Sequence, residues 1–263
     1  MIDIHHHLLF GLDDGSPDIA TSVAMARLAV ADGITHVVCT PHANGQFPYR
    51  PETNAERLEQ LRAVLAQEKI PLTLGMGCDF HLSYENLEAL KVHPARFTIN
   101  AHDYLLVEPP DYGLPIGLSE TFYHLQLAGL TPVLTHPERN PTLQSDTLRL
   151  ANWLRGGLLI QVTADSVLGH MGKAPERMSH HLLAMRWVHF IATDAHNLTS
   201  RPPRMREAHK LIAKKYGADL ADLLCIENPR AAFEGKPLPE QQEPQHLHDD
   251  LEPPSWWRRL FGR

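Results

Sequence analysis

The first fifteen residues combine a short apolar strand signal with a dense group of side chains that bind metals. Residues 1–4 are mainly apolar, and three consecutive histidines follow them. Because strand side chains alternate between two faces, His5 and His7 point to one side and His6 points to the other. Asp14 precedes Gly15, which permits a tight turn that can return the carboxylate to the same place. The stretch therefore predicts part of a metal site.

Apolar strand signals alternate with amphipathic helix signals along most of the chain. The predicted strands cover residues 1–4, 34–40, 72–78, 104–107, 132–135, 158–163 and 188–193. Strands that alternate with helices indicate a parallel sheet, and we expect a distorted (β/α)7 barrel, with a doubly wound open sheet as the competing topology. The predicted domains are a folded unit over 1–234 and a tail over 235–263, which is rich in Pro, Glu and Gln.

A potential metal ligand stands at or just after the end of each predicted strand. In parallel α/β folds the reactive groups collect at the carboxyl edge of the sheet, so these side chains are expected to meet there. Beside the first-strand residues, the candidates are His42, Asp79, Glu108, His136, Asp165, Asp194 and His196. Asp165 is the weakest member of the set, because it also suits the cap of a following helix.

The predicted ligands are imidazoles and carboxylates without a cysteine cluster. Such ligands suit Mn, Fe or Zn better than Ca or a structural zinc. About nine ligands are too many for one ion. We therefore expect two or three divalent metals that share a bridging carboxylate. Paired cations of this kind are typical of hydrolytic enzymes.

Arginines near two of these ligands suggest what is hydrolysed. Arg139 lies three residues beyond His136, and Arg201 lies five residues beyond His196. A guanidinium group can donate two parallel hydrogen bonds to two oxygens of one phosphate, so the two arginines predict a phosphate clamp. Arg204 and Arg206 stay open as alternatives. The cysteine phosphatase signature is excluded, because none of the cysteines is followed by arginine at the required sixth position.

Composition narrows the class of protein further. The chain has 263 residues, a formal net charge of -7 and only 3 cysteines, which are far apart. No basic stripe suggests a nucleic acid partner, and the cysteine pattern fits a reducing compartment. With no apolar run of transmembrane length and no room for a leader before His5, the expected location is cytoplasmic. Trp256, Trp257 and the arginines near them predict that the tail contacts a membrane or a partner, although a disordered terminus is the simpler interpretation.

The sequence resembles the PHP (polymerase and histidinol phosphatase) superfamily, and within it the manganese-dependent tyrosine-protein phosphatases of bacterial capsule and exopolysaccharide loci. The resemblance runs from residue 1 to about residue 230 and excludes the tail. It rests on MIDIHHH at 1–7, DDG at 13–15, TPH at 40–42, VE at 107–108, THPER at 135–139, TDAHN at 193–197 and RPP at 201–203.

The resemblance implies a PHP-type (β/α)7 barrel with a trinuclear metal centre, in which Arg139 and Arg201 bind the phosphoryl group. A metal-bound hydroxide would attack phosphorus in line, and the implied substrate is a membrane-associated tyrosine kinase of polysaccharide synthesis. The implied ligand groups are His5, His7 and Asp194 for the first metal, Glu108 and His136 for the second with Asp79 as a bridge to the first, and Asp14, His42 and His196 for the third.

One position departs from the family pattern, and two other functions stay open. The family has Glu where this chain has Asp79, whose side chain is one methylene shorter. The alternatives are a small-molecule PHP phosphatase of the histidinol phosphate type and a metal-stabilised binding protein without activity. The sequence does not fix the oligomeric state.

Overall fold

The computed structural model describes residues 1–110 and 113–248, and all strand pairs in this part of the chain are parallel. The strands are β1 (Ile2–His6), β2 (His36–Cys39), β3 (His42–Ala43), β4 (Thr73–Met76), β5 (Asp79–His81), β6 (Tyr104–Glu108), β7 (Thr131–Thr135), β8 (Leu159–Thr163) and β9 (Phe190–Ala192).

Two of the seven predicted strands are each followed, after a break of two residues, by a second short segment beyond the predicted end. Thr40 and Pro41 separate β2 from β3, and proline has no N–H group to donate to a ladder. Gly77 and Cys78 separate β4 from β5, where a Cβ atom on Gly77 would lie only 2.9 Å from the side chain of Val38. A side chain at this bend would therefore collide with Val38, and glycine avoids the collision. The nine segments therefore correspond to seven strands.

The strand order follows the chain, as in a barrel. One sheet has the order β1-β2-β4 and the other has the order β3-β5-β6-β7-β8-β9, so the two bent strands join them into one curved surface. The first strand meets the segment after the last one through hydrogen bonds from Asp194 N to His5 O (2.8 Å) and from His7 N to Ala195 O (2.9 Å). The predicted parallel α/β class with barrel-like order is confirmed, and its ends meet through this short bridge.

Helices connect most of the strands. They are α1 (Ile19–Ala31), α2 (Pro51–Gln67), α3 (Tyr84–Val92), α4 (Leu118–Leu127), α5 (Pro141–Ser145), α6 (Thr147–Arg155), α7 (Ala164–Val167), α8 (Lys173–Ala184), α9 (Arg206–Tyr216), α10 (Ala218–Asp222) and α11 (Asn228–Glu234). Asp18 begins α1 by accepting a hydrogen bond from the Thr21 amide at 2.7 Å. No helix in the described part of the chain combines the length and the hydropathy that crossing a membrane requires.

Alternation along the strands separates two apolar clusters. Leu105 and Val107 of β6 belong to the larger cluster, while Tyr104 and Leu106 belong to the smaller one. Glu108 is two residues beyond Leu106, so its side chain continues the face of the smaller cluster to the carboxyl end of the strand. The alternation of side chains along β6 therefore places Glu108 at the end of the barrel where the site forms.

The first part of the tail packs against the folded unit, whereas its composition makes a disordered terminus the simpler expectation. Leu247 is buried against the larger cluster, and its carbonyl accepts a hydrogen bond from Arg155 Nε at 2.7 Å. Gln245 donates to the Met185 carbonyl and accepts from Trp187 Nε1. A few apolar and amide groups thus suffice to attach residues 235–248 to the folded body. The predicted Trp and Arg contacts at 255–263 lie outside the described residues.

The contact between Asp3 and Thr193 gives a test of how the ends of the barrel are joined. The Thr193 amide and hydroxyl donate to the buried Asp3 carboxylate at 3.0 and 2.5 Å. Thr193→Val should lower the free energy of unfolding by about 1–3 kcal/mol, because it removes one donor from a buried carboxylate. Urea unfolding measures the change. Thr73→Val, at an exposed position of β4, is the control, and an equal effect of both substitutions would contradict the role of this contact.

Candidate metal centre

The predicted ligands meet at the carboxyl ends of the strands. Four groups of donor atoms form there, and the ligand atoms within each group lie within 4.8 Å of one another. The groups are His7, Asp14, His42 and His196; His5, Asp79 and His136; His5, His7 and Asp194; and His42, Asp79 and Glu108. Nine of the ten candidates from the sequence are therefore brought together. Asp165 stays apart and contacts His170 Nδ1 at 2.9 Å.

Asp194 connects His5 of β1 with His7, the residue that follows β1. Its Oδ1 atom lies 3.4 Å from His5 Nε2 and 3.3 Å from His7 Nε2. These atoms have the spacing that two imidazoles and one carboxylate need to face a common point. His6, which alternation predicts on the other side, is fully buried and belongs to none of the donor groups.

Asp79 stands between the two sides of the cage. Its Oδ2 atom lies 3.0 Å from His42 Nδ1 and 3.6 Å from His5 Nε2. Glu108 Oε2 is 3.6 Å from the same His42 nitrogen, and Glu108 Oε1 is 3.8 Å from His136 Nε2. The resemblance implied a bridge at Asp79, and the carboxylate lies where it can face both sides.

Asp14 closes the cage at its solvent side. Its Oδ1 atom lies 3.4 Å from both His42 Nε2 and His196 Nε2, and its side chain is 53% exposed. Gly15 allows the turn, because a Cβ atom there would come within 2.4 Å of the His7 carbonyl oxygen. Glycine after Asp14 therefore lets the chain pass close to His7, the residue that follows β1.

The residues present fit a group of divalent cations. Both carboxylate oxygens of Asp79, Nδ1 of His42 and Nε2 of His196 are buried without a hydrogen-bond partner among the described residues. Buried polar atoms without partners are costly, so a cluster of them at one point requires a ligand. The donors are imidazoles and carboxylates, a set that suits Mn, Fe or Zn.

The electrostatics of the cage agree with a cation site. Burial would raise the pKa of Asp194, but His5 and the nearby arginines hold it well below its ordinary value. Burial would lower the pKa of His42, but contacts with Asp14 and Asp79 raise it to about 11. Asp194 is thus ionised and the carboxylates beside His42 attract protons to its imidazole, whereas burial lowers the pKa of His136 and His196 and raises that of Glu108. Bound cations would replace those protons, as metal binding at histidine generally does.

Two ligand positions have an unusual backbone. His136 has φ 37° and Asp194 has φ 51°, both in the left-handed region that non-glycine residues seldom adopt. His136 follows β7 directly and Asp194 lies two residues beyond β9, and the left-handed conformation turns each side chain into the cage. Strain of this kind is typical of functional sites.

The two predicted clamp arginines line the mouth of the cage. Arg139 and Arg201 both donate hydrogen bonds to Asp194 Oδ2, the oxygen that faces away from His5 and His7, and their side chains are 25% and 26% exposed. The two alternatives lie elsewhere. Arg204 contacts Asp165, and Arg206 binds backbone carbonyls at the end of α1.

Three residues of the site were not predicted. Asp13 Oδ2 lies 2.7 Å from His7 Nδ1, and Gln161 Oε1 lies 2.9 Å from His5 Nδ1. Each contact fixes the orientation of an imidazole, so that its Nε2 atom points into the cage. His81, which is not among the ligand candidates from the sequence, has its Nδ1 atom 3.9 Å from Glu108 Oε2. It is two residues beyond Asp79 on β5, and this alternation was the signal that could have revealed it.

The cage opens into a cavity of about 380 Å³. The described residues that line it include Asp14, Glu108, Arg139 and Arg201, together with the loop from Asn44 to Phe47. Fold and site together define the class of protein: a parallel α/β barrel with a candidate polynuclear metal centre and a cationic rim.

The comparisons identify the family within this class. The family described as "Capsular polysaccharide synthesis, CpsB/CapC" matches residues 1–234, and the chain belongs to it. The tyrosine-protein phosphatase YwqE of Bacillus subtilis (strain 168) is 34% identical over 263 residues, which cover 100% of this chain and 99% of that protein. The tyrosine-protein phosphatase CpsB of Streptococcus pneumoniae is 31% identical over 236 residues, covering 88% and 97%.

A solved structure agrees with this assignment. It comes from work on YwqE of Bacillus subtilis and CpsB of Streptococcus pneumoniae, described there as unique metal-dependent tyrosine phosphatases. The match has a TM-score of 0.87 at 34% identity and covers 93% of this chain and 98% of the other. The resemblance to the phosphatases of capsule loci is therefore confirmed.

The carboxylate of Asp13 provides a test of the geometry around the cage. Asp13→Asn replaces one carboxylate oxygen with an NH₂ group, so the side chain can no longer accept both from the Gly15 amide at Oδ1 and from His7 Nδ1 at Oδ2. We therefore expect about 10–100-fold weaker Mn²⁺ binding. Calorimetric titration of metal-free protein measures the affinity. Asp18→Asn makes the same chemical change at the α1 N-cap, where both residues serve equally well, and should leave the affinity unchanged. Equal affinities of wild type and Asp13→Asn would reject the orienting role.

Proposed function

We propose that this protein is a metal-dependent phosphomonoesterase that removes phosphate from phosphotyrosine in a protein. The observation that carries the proposal is the convergence of two arginines on the mouth of a cage of imidazoles and carboxylates. The family relatives named tyrosine-protein phosphatases support the choice of substrate. The proposed substrate is a membrane-associated tyrosine kinase of capsule or exopolysaccharide synthesis.

The ligands of the proposed metals are the nine residues of the cage. His5, His7, Asp14, His42, Asp79, Glu108, His136, Asp194 and His196 would hold two or three divalent ions, with manganese as the proposed metal. When bound, such ions lower the pKa of coordinated water and neutralise charge on phosphate oxygens. The side chains of the protein must then position the phosphoryl group relative to these ions.

Arg139 and Arg201 would bind the phosphoryl group. Each has its guanidinium on Asp194 Oδ2 and part of its donors toward the cavity, so a phosphate that enters can accept from both. The contact with Asp194 fixes the orientation of the guanidiniums before the substrate arrives. Preorganised donors of this kind stabilise the charge that develops on the oxygens in the transition state.

The depth of the site favours a long side chain. His5 and Asp79 at the floor are fully buried, whereas Gly45 and Gln46 at the rim are exposed. A phosphoryl group must therefore reach past the rim before it meets the ligands. Phosphotyrosine carries its phosphate about one ring length farther from the backbone than phosphoserine does, and this supports a phosphotyrosyl protein as the substrate.

The proposed location is the cytoplasm, where a tyrosine kinase has access to ATP. Cys39, Cys78 and Cys225 are all buried and unpaired, which suits a reducing compartment. Contact of the tail with a membrane or with the kinase stays a prediction, because its aromatic and basic residues lie beyond the described part of the chain.

Metal content and activity together separate this function from the alternatives. Purified protein should contain Mn, Fe or Zn, lose turnover of a phosphotyrosyl peptide when the metal is chelated, and regain it with Mn²⁺. A small-molecule phosphatase would instead prefer histidinol phosphate over the peptide. Metal without release of phosphate from either substrate would support the binding protein and reject the proposal.

Removal of Arg139 tests the clamp. Arg139→Ala should lower kcat/KM for the phosphotyrosyl peptide by about 10²–10³-fold, since one preorganised donor is lost, while His136→Ala should abolish activity through loss of a ligand. Arg177→Ala, at an exposed position of α8, is the matched control. Metal content is measured for each variant. Wild-type kinetics for Arg139→Ala would contradict the assignment.

A further inference from the structure

The mouth of the cavity carries an aromatic side chain that phosphate binding does not require. Phe47 lines the cavity together with the arginines, and its ring stacks on that of His42, with centroids 5.9 Å apart and planes inclined by 15°. Pro109 is the other apolar side chain in the described lining, and the remaining positions are polar, charged or glycine. An otherwise polar cavity thus has a small apolar wall near its opening.

A turn fixes the position of Phe47. The Asn44 side chain accepts hydrogen bonds from the amides of Gln46 and Phe47 at 2.9 and 2.8 Å. The Asn44 amide donates to the Phe47 carbonyl at 3.0 Å. Because side chain and backbone of Asn44 both hold the loop, the ring has its place without a substrate. A preformed surface costs less conformational entropy on binding than a mobile one.

We infer that Phe47, in the same cavity lining as Pro109, is the subsite for the aromatic ring of the substrate. The inference rests on the proposed phosphatase function and assigns its preference for aryl over alkyl phosphates. Arg139 and Arg201 bind features that every phosphomonoester has, so they do not distinguish a tyrosyl from a seryl group. The aromatic wall does, because ring stacking and apolar contact are available only to an aryl group.

Binding of non-hydrolysable ligands tests the inference without turnover. Phenylphosphonate and methylphosphonate share the phosphonate group and differ in the ring. Calorimetry on the Mn²⁺-loaded protein should give about tenfold weaker binding of phenylphosphonate to Phe47→Ala than to wild type, with methylphosphonate binding unchanged. Phe47→Leu, which keeps apolar contact without a ring, should fall between the two. Tyr123→Ala, which removes an aromatic ring 59% exposed on α4, is the control.

Kinetics provide the second measurement. Phosphotyrosyl and phosphoseryl peptides of one sequence are compared as ratios of variant to wild type, so that the reactivity of each leaving group cancels. Phe47→Ala should lower kcat/KM about tenfold for the phosphotyrosyl peptide, mainly through KM, and leave the phosphoseryl ratio near one.

Two results would overturn the inference, and only the second would also reject the phosphatase function. Equal losses for aryl and alkyl ligands, with lower metal content, would mean that Phe47 only supports His42, while the phosphatase function itself would stand. A wild-type protein that contains metal but binds neither phosphonate and hydrolyses neither peptide would reject the proposed function and this subsite with it.

Discussion

The burial of many ionisable side chains at one end of the barrel is the constraint on which the site depends. An isolated buried charge is strongly unfavourable, so each carboxylate must face a partner of opposite charge. Asp194 meets this requirement on both sides, because Oδ1 faces His5 and His7 while Oδ2 accepts from Arg139 and Arg201. One carboxylate thus joins the floor of the cage to its rim. The affinity for cations and the orientation of the clamp are consequently linked through a single side chain.

The framework around the cage keeps this arrangement in place. Asp13 holds Nδ1 of His7 and Gln161 holds Nδ1 of His5, and each contact directs the Nε2 atom of that histidine toward the donor groups. The left-handed conformations of His136 and Asp194 direct two more ligands inward at a cost in backbone strain. Such strain persists only where the surrounding hydrogen bonds determine the conformation. The geometry of the cage is therefore determined by the folded chain.

The sequence predicted those features that depend on local pattern. Glu108 and His136 follow apolar strands, and parallel strands bring their carboxyl ends to one edge, so their convergence could be expected. Gln161 could not be found in this way, because its partner His5 is 156 residues distant and nothing local marks the pair. The breaks within the second and third strands also escaped prediction, although Pro41 was a visible signal. The packing of Leu247 depends on a surface that only the completed fold provides.

Asp79 shows how backbone position can offset a shorter side chain. It pairs with His42 in the register between β3 and β5, so the two residues are direct neighbours across the ladder. This places Asp79 Oδ2 within 3.0 Å of His42 Nδ1 while it stays 3.6 Å from His5 Nε2. β5 begins two residues beyond Gly77, so the bend there separates it from β4 and allows it to pair with β3. The reach that the resemblance expects from a glutamate is supplied here by the place of Asp79 on β5, from which its buried carboxylate faces both His5 and His42.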